Sequence, residues 1–277
     1  MRLNGVDLHV RRVGDPGRPP LVVVHGGPTW DHSYLSVADR LADTAHVVYL
    51  DLRGCGRSAR TPPLGPLTDD QLQPDLLADD VAALIRSLGG PADVLGFSFG
   101  GRIAMRLAEQ HPAVVRRLIL ASTTAYTGFA PAAGHAERAA LRTDVAWDDP
   151  ALSADGAVSR AMAYGDAPLQ IWRLDRLDEW HRVLDQVRFS SDYNRPFAAG
   201  MLRPGGPDDP VAVLRGWGGP VLILHGERDL CFPVEVARRL YADLPGSILA
   251  EIAEAGHMAH FDNPGPWLAA IRDFLRS

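Results

Sequence analysis

Residues 92–101 read Ala-Asp-Val-Leu-Gly-Phe-Ser-Phe-Gly-Gly. Residues 92–97 have the short apolar character of a buried strand. Residues 101–110 read as a helix, ended by His111-Pro112. Ser98 therefore stands where a strand turns into a helix, inside the pattern G-x-S-x-G. A serine that projects its Oγ above a sheet needs a sharp, strained turn. Side chains at 96 and 100 would collide with that turn, and glycine at both places removes the clash. The plainer meaning of the same residues is a glycine-rich turn with no chemistry; the strand and helix on either side favour a nucleophile.

Outward from this stretch, strand and helix signals alternate. Strands are expected at 8–13, 20–24, 45–50, 117–121, 220–224 and 247–252, with helices at 33–41, 69–88, 233–244 and 264–276. Such alternation predicts a mostly parallel, doubly wound sheet with helices on both faces. Residues 123–216 break the pattern: they show no clear strand, only helical patches such as 169–187. The expected organisation is a core of residues 1–122 and 217–277 with an inserted helical lid at 123–216.

Three further loops follow expected strands. His25-Gly26-Gly27-Pro28 follows 20–24, Gly226-Glu227-Arg228-Asp229 follows 220–224, and Ala255-Gly256-His257 follows 247–252. Acyl transfer needs donors for a developing oxyanion, and the backbone N–H groups of Gly27 and Phe99 are the candidates. One such donor contributes about 3–4 kcal/mol in a transition state. Asp229 would hold His257 in the right tautomer, and His257 would take the Ser98 proton and return it to the leaving group. Glu227 is a rival acid that lies closer to its strand. His260 is a rival base without a preceding glycine, and His25 reads as a brace for its loop. His257, His260 and Asp262 lack a matching ligand pair elsewhere, so no metal is expected, and no cofactor is implied.

Composition narrows the chemistry. Net charge is −6 and all 28 basic residues are arginine, so neither a nucleic-acid footprint nor any lysine-dependent mechanism is available. Cys55 and Cys231 stand far apart and read as free thiols. Residues 1–10 carry no apolar run of the signal-peptide kind, and no stretch approaches the roughly 20 apolar residues of a membrane span. A cytoplasmic location, a small-molecule substrate and no membrane or nucleic-acid partner are the expectations; nothing specifies an oligomeric state.

Taken together, H-G-G-P at 25–28, D-L-R-G-C-G-R-S at 51–58, G-F-S-F-G-G at 96–101, G-E-R-D at 226–229 and G-H at 256–257 resemble the α/β-hydrolase superfamily. More narrowly the chain resembles the proline iminopeptidase-like serine hydrolases, and D-H-S-Y-L at 31–35 resembles the branch of the tricorn-interacting aminopeptidase. The resemblance implies the α/β-hydrolase fold and a Ser98, Asp229, His257 triad. Serine at 98, where related enzymes carry aspartate or cysteine, points to acyl transfer.

Departures from that family bear on substrate. A further glycine usually follows H-G-G-P, but here Thr29 and Trp30 do. Aminopeptidase members carry one glutamate directly after the triad aspartate, where this chain has Leu230, and another beyond a lid tyrosine. If Tyr193 is that tyrosine, the second position falls near Met201. Those glutamates would bind a free α-ammonium, which needs a charged partner when desolvated. Leu230 and Met201 in their place predict a neutral, hydrophobic acyl or lactone substrate, unless Asp175, Asp178, Glu179 or Asp192 supplies the charge. Trp30 is the expected pocket wall. Tyr126, Phe129, Trp147, Tyr164, Trp172 and Trp180 are expected mainly to pack the lid. The leading expectation is hydrolysis of an ester, lactone or amide through an acyl-Ser98 intermediate. An aminopeptidase, an acyltransferase or C–C bond hydrolase, and a non-catalytic ligand-binding member of the fold are the alternatives.

Overall fold

Asn4 and Gly5 both take positive φ and close a small hairpin between Arg2–Leu3 (β1) and Val6–Asp7 (β2). Asn-Gly suits such a turn because both residues tolerate left-handed backbone. The computed structural model describes residues 1–58, 67–146 and 149–277 of the chain. Trp147 lies outside the described residues.

Seven strands then form the central sheet: Val10–Val13 (β3), Pro20–Val24 (β4), His46–Leu50 (β5), Ala92–Phe97 (β6), Val115–Ala121 (β7), Val221–Gly226 (β8) and Ile248–Ile252 (β9). Their order is β3-β5-β4-β6-β7-β8-β9; β3 is antiparallel to β5 and every other pairing is parallel. Alternate residues of each strand enter opposite cores. Val22, Val24, Val48 and Val94 pack with Leu77 and Ile85 of helix Pro74–Ser87 (α1) and with Ile103 and Leu107 of helix Phe99–Gln110 (α2). Leu21, Val23, Val47 and Leu95 pack on the other face with Leu35, Leu268 and Ile271. This is the α/β-hydrolase fold, with its central strands covered on both sides.

Two expected helices are broken. Within 69–88, a 3-10 turn at Asp69–Leu72 is separated from α1 by extended Gln73. Pro74 explains it, since the residue before a proline is driven out of helical backbone. Within 169–187 the chain forms Ala167–Gln170, Leu174–Arg176 and Leu177–Leu184. Here the Asp262 carboxylate accepts the N–H groups of Trp172 (2.8 Å) and Arg173 (3.1 Å), which a continuous helix would have used itself. Among the described residues, 123–220 contain helices and turns but no strand. The segment enters after β7 and leaves before β8; its last helix, Pro210–Trp217, packs back on α2 with Leu214 in the core, while Tyr193 and Phe197 come to Ser98.

Candidate active site

Ser98 joins β6 to α2 with φ +53° and ψ −117°. A non-glycine residue there is strained by roughly 1–3 kcal/mol, which the surrounding structure must over-determine. The neighbouring contacts do so. A Cβ on Gly96 would stand 2.6 Å from the Gly100 carbonyl oxygen, and one on Gly100 would stand 2.2 Å from that of Val24. Gly26, from the loop after β4, lies so close that its Cβ would meet Ser98 Cβ at 2.8 Å. Strand, turn and loop thus touch backbone to backbone around the serine.

The structure brings Ser98, His257 and Asp229 into one hydrogen-bonded line. Ser98 Oγ and His257 Nε2 are 3.1 Å apart, and His257 Nδ1 is 2.9 Å from Asp229 Oδ2. Asp229 is fully engaged. Its Oδ1 accepts the N–H groups of Cys231 and Phe232, each at 2.8 Å, and its Oδ2 also lies 3.2 Å from His225 Nε2. Burial alone would raise this carboxyl, but His257 and His225 outweigh that and hold it well below the usual carboxylate range. It therefore stays ionised, as a partner for an imidazolium must.

The other candidates fall elsewhere. Glu227 is exposed. His260 is buried with Nε2 3.1 Å from the Tyr34 carbonyl, and burial pushes its imidazole down to about 3. His25 is also buried: Nδ1 faces the Gly26 carbonyl at 2.8 Å, and Nε2 accepts the Leu52 N–H at 2.9 Å. Tyr34 Oη accepts the Gly26 N–H at 2.8 Å. His25 and Tyr34 together brace the loop, which leaves the N–H groups of Gly27 and Phe99 unspent on any described residue. Asp262 has a part that the sequence reading missed. Its Oδ2 accepts the Gly256 N–H at 2.8 Å, so one carboxylate ties the His257 loop to Trp172 and Arg173 of the inserted segment. Its only sequence signal was its place five residues after His257.

Metal-type ligand atoms approach one another, among the described residues, in His9/His32/Asp51 and in Asp229/Cys231/His257. In each set the carboxylate already binds an imidazole: His32 Nδ1 at 2.5 Å from Asp51, and His257 as above.

Two cavities open at Ser98. One of about 520 Å³ is walled largely by Trp30, Tyr34, Met162, Cys231, Phe232 and Met258. A second, of about 490 Å³, lies toward Phe99, Arg102 and Pro204. Tyr193 and Phe232 border both, and Phe197 reaches both from the inserted segment. Trp30 borders the first cavity, and Tyr193 borders both. Leu230 and Met201 border neither, which corrects the sequence reading. Leu230 is buried, and the turn closed by Asp229 Oδ1 presents Cys231 and Phe232 to Ser98 instead. Met201 is exposed and borders neither cavity, past a short helix at Asn194–Ala198 from which Phe197, itself largely exposed, borders both. Neither Phe197 nor Phe232 carried a signal in the sequence.

Among the described residues the one carboxylate of the inserted segment at the first cavity is Asp166, and Arg142 pairs with it at 2.6 Å. Asp175 and Glu179 pair with Arg173 and Arg176 at the surface, Asp178 is exposed, and Asp192 is buried away from both cavities. The aromatic residues of the segment mostly pack, as expected: Trp180 against Trp30 and Phe261, Trp172 under Arg138, and Tyr126 under Arg239. Among the described residues no helix is long and apolar enough to cross a membrane.

Residues 19–264 match the model of the alpha/beta hydrolase fold family. A biotin biosynthesis bifunctional protein of Teredinibacter turnerae is 26% identical over 94% of this chain, which spans only 45% of that protein's length. A proline iminopeptidase of Lactobacillus delbrueckii subsp. lactis is 26% identical, with 97% of this chain and 94% of that protein covered. The solved structure of a thermophilic esterase from Thermogutta terrifontis, with malate bound, superposes at a TM-score of 0.73 with 25% identity, covering 100% of this chain and 96% of that one. The names of these relatives print different activities, so they share the family and single out no branch of it, the tricorn-interacting branch included.

Proposed function

The chain belongs to the α/β hydrolase fold family, and we propose that it is a serine hydrolase acting on a carboxylic ester, lactone or amide. The observation that carries the reading is the line Ser98–His257–Asp229, at 3.1 and 2.9 Å, opening into an apolar cavity. In this reading His257 Nε2 takes the Ser98 proton as Oγ attacks the substrate carbonyl carbon. The carbonyl oxygen becomes an oxyanion facing the N–H groups of Gly27 and Phe99. The imidazolium, stabilised by ionised Asp229, then protonates the leaving group as its bond to carbon breaks. Water resolves the acyl-Ser98 by the same steps. Residues 123–216 act as a lid that supplies Tyr193 and Phe197 to the cavity wall.

The expectation of a neutral substrate rested on Leu230 and Met201 and falls with their positions. What supports an apolar leaving portion is the wall of Trp30, Met162, Phe232 and Met258. An aminopeptidase of the proline iminopeptidase type is the second reading, favoured by Asp166 at the same wall. Arg142 already neutralises that carboxylate, which argues against it as the partner of a free ammonium.

A fluorophosphonate probe with intact-mass detection, and turnover of a neutral short-chain aryl ester beside a free-amine arylamide, test the reading. One adduct per chain, lost in Ser98→Ala, with ester turnover, is expected. No adduct and no turnover would overturn it. Amide cleavage that vanishes on N-acetylation would instead establish the aminopeptidase.

A further inference from the structure

We infer that the second cavity binds a carboxylate at the far end of the substrate's acyl group, with the Arg102 guanidinium as its partner. The inference rests on the serine hydrolase reading for the words acyl group; the anion site itself stands on the cavity.

Arg102 lies on α2 one helical turn beyond Ser98 and lines this cavity. It is half-buried, its guanidinium carbon 5.5 Å from the centre of the Phe232 ring. Among the described residues no carboxylate pairs with it. The next arginine on the same helix face shows what a satisfied guanidinium looks like here. Arg106 binds Asp75 at 2.7 Å and the carbonyls of Gly205 (3.1 Å), Pro204 (3.0 Å) and Gly206. Arg203, also at the cavity, is paired with Asp75 at 3.0 Å. Burial pushes the Arg102 guanidinium below its ordinary value, with no opposing charge among the described residues to hold it up. A desolvated cation without an anionic partner is costly, and an anion arriving from solution repays that cost. A planar guanidinium matches a carboxylate with two parallel hydrogen bonds. One unpaired guanidinium balances one carboxylate; a phosphate dianion would want a second cation.

The side of the ester follows from the proton. His257 and Met258 line the first cavity and not the second. The leaving group must receive its proton from His257, so it occupies the first, apolar cavity. The acyl chain then extends into the second, toward Arg102. The substrate class is a half-ester of a dicarboxylic acid with an apolar alcohol.

Monobenzyl glutarate and monobenzyl adipate, each against its ω-amide, test this through kcat/KM. The wild-type enzyme is expected to prefer an acid by at least ~10-fold, carried by KM, the range of a charge-assisted hydrogen bond. Arg102→Gln should bring the acid-to-amide ratio to about one, and Arg102→Lys should leave it between. A wild-type ratio near one, or a ratio unchanged in Arg102→Gln, overturns the inference; Arg102→Lys decides it if Arg102→Gln does not fold. A second arm needs no turnover: calorimetric titration of the Ser98→Ala protein with adipate and with inorganic phosphate. Adipate binding that weakens at least ~10-fold when Arg102→Gln is added supports the site. Absent binding, binding indifferent to Arg102, or phosphate binding tighter than adipate overturns it. If neither ester is hydrolysed but adipate binding depends on Arg102, the half-ester assignment fails and the anion site stands; a missing fluorophosphonate adduct would sink the hydrolase reading separately.

Discussion

Gly100 has the Val24 carbonyl oxygen 2.2 Å from where a Cβ would be, whereas Gly216, in the helix that closes the inserted segment, has nothing within 4 Å. Around Ser98 the shape is set by backbone against backbone, so glycine at 26, 96 and 100 is dictated by space. Across 123–216 backbone also meets backbone in places, at Gly156 against Phe189 and Gly165 against Thr143, but side chains add ties of their own: Arg138 to the carbonyls of Pro168 and Trp172, Arg160 to Asp185, and Ser159 to the Ser190 carbonyl. Many residue types can make such contacts. The elbow is built so that little can change, while the inserted segment has such places and also open ones such as Gly216. A fixed chemistry under an adjustable pocket is what that division would provide.

The largest effect tests the fixed side. Ser98→Ala should lower kcat on an aryl ester by roughly 10⁴- to 10⁶-fold while leaving the far-ultraviolet dichroism intact, the scale seen when a serine triad loses its nucleophile. Residual activity within tenfold of wild type would mean that the geometry at Ser98 serves something other than nucleophilic attack.

Gly100→Ala comes next and asks whether the fit is as rigid as the distances suggest. The new methyl cannot be placed without moving Val24 or the elbow, so a loss of more than ~3 kcal/mol is expected in urea unfolding. A loss below ~1 kcal/mol would show that strand and turn can part cheaply, and the contrast with the inserted segment would dissolve.

Acid should separate the two regions as well. Burial holds the His260 imidazole near 3, against an ordinary value of 6.5. Between those values the unfolded chain binds a proton that the folded chain refuses, so stability present above about 6.5 is lost as pH falls toward 3. The loss is on the order of 1.4 kcal/mol for each pH unit in that window. Asp229, held low by His257 and His225, adds to it only as pH falls below the ordinary carboxylate value. The inserted segment contributes little, because its shifted carboxylates Asp175 and Asp185 sit in exposed pairs that water screens. His260→Gln should therefore flatten the fall in stability between pH 6.5 and 4, measured as urea midpoint against pH. An unchanged slope would place the acid-sensitive proton elsewhere.

The same division explains what could be read from the sequence. The fold was legible because buried strands such as PLVVV at 20–24 and PVLIL at 220–224 have almost no other use, and because glycine at 96 and 100 marks a turn only one geometry satisfies. The chain order Ser98, Asp229, His257 was legible because each residue follows a strand end. The pocket was not. Leu230 adjoins Asp229 in sequence, yet the turn that Asp229 itself closes sends Cys231 and Phe232 to the cavity in its place. Phe197 reaches the cavity from a five-residue helix whose position depends on what it packs against, not on its own composition. Arg102 carried no signal in the sequence; the partners of Arg106 on the same helix face show what it lacks.

Gly216→Ala is the smallest effect and the sharpest test of the comparison, because it repeats the Gly100 substitution where space is open. Gly216 lies in the last turn of Pro210–Trp217, is exposed, and has no left-handed φ to protect. Alanine there should restrict the unfolded chain and favour the helix, so stability should rise by ~0.5–1 kcal/mol, with ester turnover unchanged. The two substitutions add the same methyl group, and the sign of the outcome is set by the neighbours alone. If Gly216→Ala destabilised the protein by as much as Gly100→Ala, the space around Gly216 would be as closed as that at the elbow, and the comparison between the two glycines would have to be given up.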